Sequence, residues 1–511
     1  MKKKGINSIL LVLSLIGCNT PDNQKLNASL GDEKKYEANW KSLSNYEVPT
    51  WFRDAKFGIF IHWGAYSVPA YGSEWYPRLM YMDTATFSAQ LNPEGDGAND
   101  VHLHHLAKWG DPKGFGYKDF IPKFRAEKFD PAEWITLFKK AGARYVVPVA
   151  EHHDGFAMYN SGYTRWKSTT MGPQRDVLGE LFEEGRRQGL KMGASSHFAF
   201  NWAFFNKKPH FDTMDPEYAD LYSKKGPVLD EPVSSEFKDL WWNRTKQIIT
   251  DYQPDIMWFD FFLDSEAFKE YHPKLAAFYY NKSLEWNKEV VLQNKNLLYE
   301  SFPEGTFVHD LERGKMSGIR KEPWQTDTSI GANSWGYIEN WESKEVDKIV
   351  DDLVDIVSKN GCLLLNVGPR ADGTIPNDQR NFLLEIGEWL KINGEAIYGT
   401  RHWKVFGEGP TKVAEGYMSE LREDNRFTSE DIRFTTRDNK LYAIALDWPD
   451  NGKLNIKTLR AGTKTGDLEI KGISLLGSDE ELQWSRSEQA LVVQLPMERS
   501  GEYAHVLAIT L

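Results

Sequence analysis

Short, continuous apolar runs alternating with amphipathic segments constrain this chain more than any other feature. The runs are Lys56–Ile61, Arg144–Ala150, Lys191–Ala194, Asp255–Phe259, Val290–Leu292 and Cys362–Leu365. Each is too short for a buried helix, and a run that is apolar at every position suits a strand covered on both faces, as in a parallel sheet. The segments between them read as helices. Phe129-Asp130-Pro131-Ala132-Glu133-Trp134 opens one, with Asp as N-cap, Pro at the first helical position and a Phe/Trp staple. Phe237, Leu240, Trp241, Ile248 and Tyr252 share a face of a second; Val346, Ile349, Val350, Leu353, Ile356 and Val357 share a face of a third. Repeated βα units predict an α/β fold, a (β/α)8-like TIM barrel over residues 41–400.

The chemistry sits at the carboxyl ends of these runs. His62-Trp63-Gly64 comes after the first, Glu151-His152-His153-Asp154 after the second and Ser195-Ser196-His197 after the third. Asp260 succeeds Trp258-Phe259 at the end of the fourth, and Gln293-Asn294-Lys295 comes after the fifth. Polar groups gathered at the carboxyl ends of strands are where barrels of this kind build their sites. Asp260 is walled by Trp258, Phe259, Phe261 and Phe262, so its charge is costly unless something pairs with it or uses it. Taken alone, it would also serve as a strand-end cap.

Beyond residue 400 the pattern changes. Leu441–Leu446, Leu468–Leu476, Ala490–Leu495 and His505–Leu511 are β-rich runs separated by turn residues, which predicts an antiparallel β-sandwich over residues 401–511. Stabilisation is the role expected of it. At the other end, Lys2-Lys3-Lys4 and an apolar stretch from Ile9 to Ile16 form a signal peptide over residues 1–17. Leu15-Ile16-Gly17-Cys18 has the form of a bacterial lipobox, so Cys18 is expected to carry a lipid, with residues 18–40 as a polar tether. The apolar stretch is too short to span a bilayer, so membrane association is expected only through that lipid. The expected location is the bacterial cell envelope, facing the periplasm or the cell surface. If Cys18 is lipidated, Cys362 is the one remaining cysteine and no internal disulfide is expected.

The composition narrows the partner. A net charge of −12 argues against nucleic acid. Aromatic residues make up 14 % of the chain, with 19 Trp, enough either for a heavy aromatic core or for stacking on sugar rings. His152-His153-Asp154 raises the possibility of a metal. Adjacent strand residues point to opposite faces, however, so the pair chelates poorly unless the strand has already ended. No metal and no cofactor is expected. Glycoside hydrolysis needs two carboxyl groups about an anomeric carbon and donors for sugar hydroxyls, and the residues at hand supply both.

Five motifs then carry a family resemblance. Phe57-Gly58-Ile59-Phe60-Ile61-His62-Trp63-Gly64, His152-His153-Asp154-Gly155-Phe156, Trp258-Phe259-Asp260, Ser334-Trp335-Gly336-Tyr337 and Leu363-Leu364-Leu365-Asn366-Val367-Gly368-Pro369 occur in the order seen in family 29 glycoside hydrolases, the α-L-fucosidases. The resemblance runs from about Tyr46 to Trp403. It implies a retaining exo-hydrolase of terminal α-L-fucose on a barrel followed by a sandwich, acting without a metal on a fucosylated oligosaccharide or glycoconjugate. It makes Asp260 the nucleophile. His62, Glu74, Trp75, His152 and His153 match substrate contacts, and Trp258 matches a wall of the pocket. The chain departs from the family in two places. Ser195-Ser196-His197 stands where the family often has Tyr-Tyr-Ser, and Gln293-Asn294-Lys295 stands where an Arg commonly follows an Asn-Asp pair. His197 and Lys295 are therefore expected at the substrate in place of the family's residues, and Lys295 keeps the charge without the bidentate fork.

The acid/base is sought among Glu300, Glu304, Glu312 and Glu322. Glu312 best matches the family's Glu by its place before Trp324 and the Ser334-Trp335-Gly336-Tyr337 landmark. The competing reading of Glu312 is a loop ion pair with Arg313 or a nearby Lys. A retaining pair requires carboxyl groups about 5 to 5.5 Å apart. The alternative function is a glycan-binding lipoprotein that kept the barrel without strong catalysis. The oligomeric state is left open.

Overall fold

The computed structural model describes residues 35–90, 99–226, 231–295, 302–422 and 426–511. Tyr36–Leu511 form one compact unit. The expected signal peptide, the expected lipobox with Cys18, and Glu300 lie outside the described residues.

Eight parallel strands close into a barrel in chain order: β1 (Phe57–Ile61), β2 (Tyr145–Glu151), β3 (Lys191–Ser196), β4 (Ile256–Phe259), β5 (Val291–Asn294), β6 (Val308–Asp310), β7 (Trp324–Ser329) and β8 (Gly361–Val367). β8 closes the ring against β1, with Ile59 opposite Leu365. Alternation along each strand sorts the side chains. Phe60, Tyr145, Val147, Val149, Ile256, Trp258, Val291, Val308 and Leu364 pack together as one cluster. Ile59, Ile61, Val146, Met257, Leu363 and Leu365 pack into the layer shared with the helices. Gly58 makes the interior possible, because a Cβ there would sit 2.2 Å from the ring of Tyr145. That ring reaches across to donate its hydroxyl to Gln325 Oε1 at 2.7 Å.

The helices follow their caps. Pro131–Lys140 starts at Asp130, whose carboxylate accepts from the backbone N–H groups of Ala132 and Glu133 at 2.9 and 3.1 Å. Phe129 and Trp134 meet edge to face as the expected staple. Ser235–Tyr252 stops at Gln253 in the left-handed region (φ 47°), and Pro254 prevents continuation into β4. Val346–Ser358 is more buried than one apolar stripe implies. It packs against β8 on one side and against the C-terminal sheet on the other, so even Asp351, Asp352 and Asp355 are buried. Asp355 is compensated by Lys359 at 2.7 Å and Arg433 at 2.6 Å.

The C-terminal part is antiparallel. β9 (Arg401–Glu408), β10 (Ile432–Arg437), β11 (Lys440–Ala445), β13 (Gly472–Leu475) and β16 (His505–Thr510) form one sheet in the order β13-β16-β11-β10-β9. β12 (Lys453–Ile456), β14 (Gln483–Arg486) and β15 (Leu491–Gln494) form the second in the order β12-β15-β14. Leu441, Ala443, Leu454, Ile456, Leu491, Val493, Leu507 and Ile509 fill the space between them.

The structure differs from the sequence reading at several points. β6 and β7 were not anticipated, since His309, Asp310, Gln325, Thr326 and Asp327 give them no apolar run. Glu151, Ser195, Ser196, Gln293 and Asn294 lie inside strands rather than after them. Residues 36–40, assigned to the tether, are docked: Tyr36 exchanges two 2.8 Å hydrogen bonds with Asn281.

Candidate active site

Asp260 leaves the end of β4 with its carboxylate buried and its two oxygens facing different partners. Oδ2 accepts from His197 Nδ1 at 2.8 Å and lies 3.1 Å from His153 Nε2. Oδ1 lies 2.8 Å from Lys295 Nζ and accepts the N–H of Phe261 at 2.9 Å. Burial alone would raise this carboxyl. The Lys295 charge, with hydrogen bonds from His197 and His153, overcomes it and holds Asp260 well below the usual carboxylate range.

The histidines converge because the strands end where they do. β2 stops at Glu151, so His152 and His153 are free of strand alternation, and their rings lie 4.6 Å apart. Each ring is oriented by its neighbours. His153 Nδ1 donates to the carbonyl of His197 at 2.7 Å, which turns Nε2 toward Asp260. His197 Nε2 lies 2.7 Å from Ser195 Oγ, a hydroxyl able to donate to it, leaving Nδ1 to donate to Asp260. His62 Nδ1 lies 2.7 Å from Asn366 Oδ1, which fixes Nδ1 as the donor and frees Nε2. Burial holds His62 and His152 neutral, well below the usual imidazole range, and pushes His197 down to about 4 against the pull of Asp260.

Across from the histidines, Lys295 is the hub. Its ammonium is buried and lies 2.8 Å from Asp260, 2.7 Å from Glu312 and 3.6 Å from Asp327. It also sits 5.0 Å from the ring of Trp258. Burial would lower it, but the three carboxylates hold it well above the usual lysine range. Two oxygens bonded to one nitrogen cannot be farther apart than the sum of those two bonds. Asp260 Oδ1 and Glu312 Oε2 therefore lie no farther apart than about 5.5 Å, the upper end of the retaining spacing and short of the roughly 6.5 to 9.5 Å of inversion. Arg313 is not the partner of Glu312. It turns away in the left-handed region (φ 43°) to reach Glu420 at 3.4 Å and the carbonyl of Gly331 at 3.1 Å. The other candidates lie apart: Glu304 is exposed and pairs with Arg320, and Glu322 pairs with Lys321 at 3.2 Å.

Glu74 and Trp75 complete the pocket. Glu74 Oε2 accepts from Ser334 Oγ at 3.2 Å and from the N–H of Trp335 at 2.9 Å, so it anchors the Ser334–Gly336 turn. Trp75 lies parallel to Phe261 with ring centres 6.2 Å apart, and with Phe200 and Phe204 makes an aromatic wall beside His153. His62, Glu74, Trp75, His152, His153, His197, Trp258, Lys295 and Glu312 thus gather around Asp260, whereas Asp154, from the metal reading, turns away to accept from Tyr117 and from the N–H of Phe156. Glu151 is likewise structural, bound to the buried Arg244 at 2.8 Å. Among the described residues, two triads are close enough to hold a metal, His62-His152-His197 and His153-His197-Asp260. His197 belongs to both, and both of its ring nitrogens are engaged by Ser195 and Asp260. The sequence reading missed Asp327, Asn366, Ser195 as an orienting group, and Trp335, whose ring lies 5.1 Å from His62. The signal for Asn366 and Trp335 was present, since both fall inside the family motifs.

Comparison with known proteins bears on the family and the fold. The α-L-fucosidase family matches residues 24–395, and the α-L-fucosidase C-terminal domain matches residues 424–510. Tissue α-L-fucosidase of Rattus norvegicus is 31% identical over 482 residues, covering 93% of this chain and 92% of that protein. The human tissue enzyme is 32% identical, covering 91% and 88%. The crystal structure of Thermotoga maritima α-fucosidase in complex with fucose is 30% identical, covers 93% of this chain and all of its own, and superposes with a TM-score of 0.72. With both of its parts matched and its barrel and sandwich shared, the chain belongs to the α-L-fucosidase family of glycoside hydrolases.

Proposed function

We propose that the chain releases terminal α-L-fucose from fucosylated glycans by double displacement, with Asp260 as nucleophile and Glu312 as general acid/base. The observation that carries this reading is the single ammonium, Lys295, bonded to both carboxylates at 2.8 and 2.7 Å. Asp260 Oδ attacks the anomeric carbon while Glu312 gives its proton to the departing glycosidic oxygen. Glu312 then takes a proton from the water that frees the glycosyl-enzyme. Asp260 enters ionised, as its surroundings dictate. The free Nε2 of His62, together with His152, His153, His197 and Glu74, supplies polar contacts for the sugar hydroxyls. Trp75, Phe261 and Phe200 offer an apolar wall for the ring face and the C5 methyl of a 6-deoxy sugar, and Trp258 closes the floor.

Proton NMR of the first-formed sugar tests this reading. The α-anomer of fucose should appear first; the β-anomer would require inversion and overturn the assignment. No turnover of any fucoside would favour the glycan-binding alternative.

We further infer a lipid-anchored protein of the cell envelope, supported by the basic lead, the apolar stretch and Leu15-Ile16-Gly17-Cys18. A fatty-acid probe should label the full-length chain, and Cys18→Ala should lose the label.

A further inference from the structure

The turn between β9 and β10 leaves the sandwich and grips the segment that carries Glu312. The Gly416 N–H donates to the carbonyl of Lys315 at 3.0 Å, and the Met418 N–H donates to the carbonyl of Glu312 itself at 3.0 Å. The Glu420 N–H donates to the carbonyl of Arg313 at 2.9 Å, and Lys315 N–H donates to Ser419 Oγ at 3.0 Å. Side chains reinforce the grip: Glu420 binds Lys344 and Arg313 and accepts from Thr328 Oγ1 at 2.6 Å. The turn is shaped for this contact, with Gly416 (φ 99°) and Met418 (φ 54°) both in the left-handed region. Met418 has a side chain and carries a conformational cost there, which its bond to Glu312 offsets.

Tyr417 stands between those two backbone clamps. It is 38% exposed, while its neighbours Ser419 and Glu420 are buried. Burial raises its hydroxyl above the usual phenol range, Glu312, Asp260 and Asp327 push the same way, and Lys295 opposes them. The backbone bonds on either side, from Gly416 to Lys315 and from Met418 to Glu312, hold Tyr417 against the segment that carries the acid, with its side chain open to solvent. Leu421, 63% exposed, extends the apolar surface of the same turn.

We propose that Tyr417, carried by the C-terminal sandwich, is the contact for the leaving group and so a determinant of which fucosides the enzyme prefers. This rests on Glu312 as the acid. The acid must touch the glycosidic oxygen; the fucose lies on the Asp260 side of that oxygen, and the departing sugar on the solvent side, where Tyr417 is exposed. A half-exposed aromatic ring supplies a large, stiff surface for the C–H face of a sugar at low entropic cost.

The test compares a leaving group that has a sugar ring with one that has none. For the full-length wild type, Tyr417→Ala and Tyr417→Phe, kcat/KM is measured on an α-fucosyl disaccharide and on α-fucosyl fluoride. The disaccharide-to-fluoride ratio should fall roughly tenfold in Tyr417→Ala, the scale of one lost pocket contact, and stay within about threefold of wild type in Tyr417→Phe. A second readout is independent of how much enzyme is folded: with fucosyl fluoride as donor and lactose as acceptor, transfer relative to hydrolysis should fall in Tyr417→Ala. A ratio that does not change, or equal losses on both substrates with unchanged partitioning, would overturn the proposal. Failure of the Glu312 assignment reads differently, as a Glu312→Ala variant that still cleaves the disaccharide at near wild-type rate.

Discussion

The two halves of the barrel rim solve the same problem, polar groups in a buried site, in opposite ways. At the ends of β1 to β3 the groups are buried histidines: His62, His153 and His197 are oriented by an amide, a backbone carbonyl and a hydroxyl, and burial holds His62 and His152 neutral. On β5 to β7 and the residues that come after them, one ammonium, Lys295, faces the carboxyl groups of Glu312 and Asp327, and burial raises the Asp327 carboxyl well above the usual range. Asp260, at the end of β4, sits on the seam and gives one oxygen to each half. Neutral, tunable donors suit the recognition of hydroxyls, whereas paired charges suit the movement of a proton and the build-up of charge at the anomeric carbon. The charged half is also the one braced from outside by the sandwich. The C-terminal part thus does more than cover the barrel.

The contrast between the halves predicts a ranking of losses. Asp260→Ala removes the group both halves serve and should cost roughly 10⁴-fold or more in kcat/KM on every fucoside, the order seen when a nucleophile is removed. A loss below about a hundredfold on an activated aryl fucoside would break the scheme. Lys295→Met comes next. It leaves Asp260 buried without the cation that most lowers it, so the Asp260 carboxyl should rise. Asp260 must be ionised to attack, hence the acidic limb of the kcat/KM profile should move to higher pH, with roughly a hundredfold loss at neutral pH. The same carboxyl contributes to stability above its unfolded pKa of about 3.9, and that contribution is lost as the pH falls through its lower folded value. Acid denaturation should therefore begin at higher pH in Lys295→Met than in wild type. An unmoved acidic limb would mean that Lys295 does not set the state of Asp260.

How much of this was legible in the sequence depended on where strands end. The histidine half was readable, because His62, His152, His153 and His197 each come after an apolar run that announces the strand. In the charged half only Lys295 comes after such a run. β6 and β7 carry Asp310, Gln325 and Asp327 into the barrel, where they bond to Trp258, Tyr145 and one another. Strands whose inward residues are polar show no apolar run, so Asp327 went unnoticed. Glu312 was reachable only through its distance from Trp324 in the chain. The brace from the sandwich was not legible at all, since it is made by backbone hydrogen bonds between segments about a hundred residues apart. Glu151 failed in the other direction: it looked like a site residue but lies inside β2 and pairs with Arg244.

Smaller effects sharpen the histidine half. Ser195→Ala leaves His197 without the group that fixes its tautomer. It should cost roughly threefold to tenfold, mostly in KM, consistent with one lost hydrogen bond of about 1 kcal/mol. A fall in kcat larger than the rise in KM would place His197 in the chemical step. The smallest expected effect is none: prolonged chelation should leave cleavage of an aryl fucoside intact. Loss of activity that zinc restores would instead assign His62, His152 and His197 to a metal.

The pairing of Asp260 with Glu312 across Lys295 is tested most directly by Glu312→Ala on two substrates. A natural fucoside has a poor leaving group and should lose roughly 10²- to 10⁴-fold, the usual contribution of a positioned acid. An activated aryl fucoside needs little protonation, so it should still form the glycosyl-enzyme, which then turns over slowly. Azide needs no base and should accelerate that second step. It displaces Asp260 from the face the aglycone left, so the product should be an α-fucosyl azide. If Glu312→Ala instead cleaves the natural fucoside within a few-fold of wild type and ignores azide, Glu312 is only an ion-pair partner of Lys295 and the account is wrong.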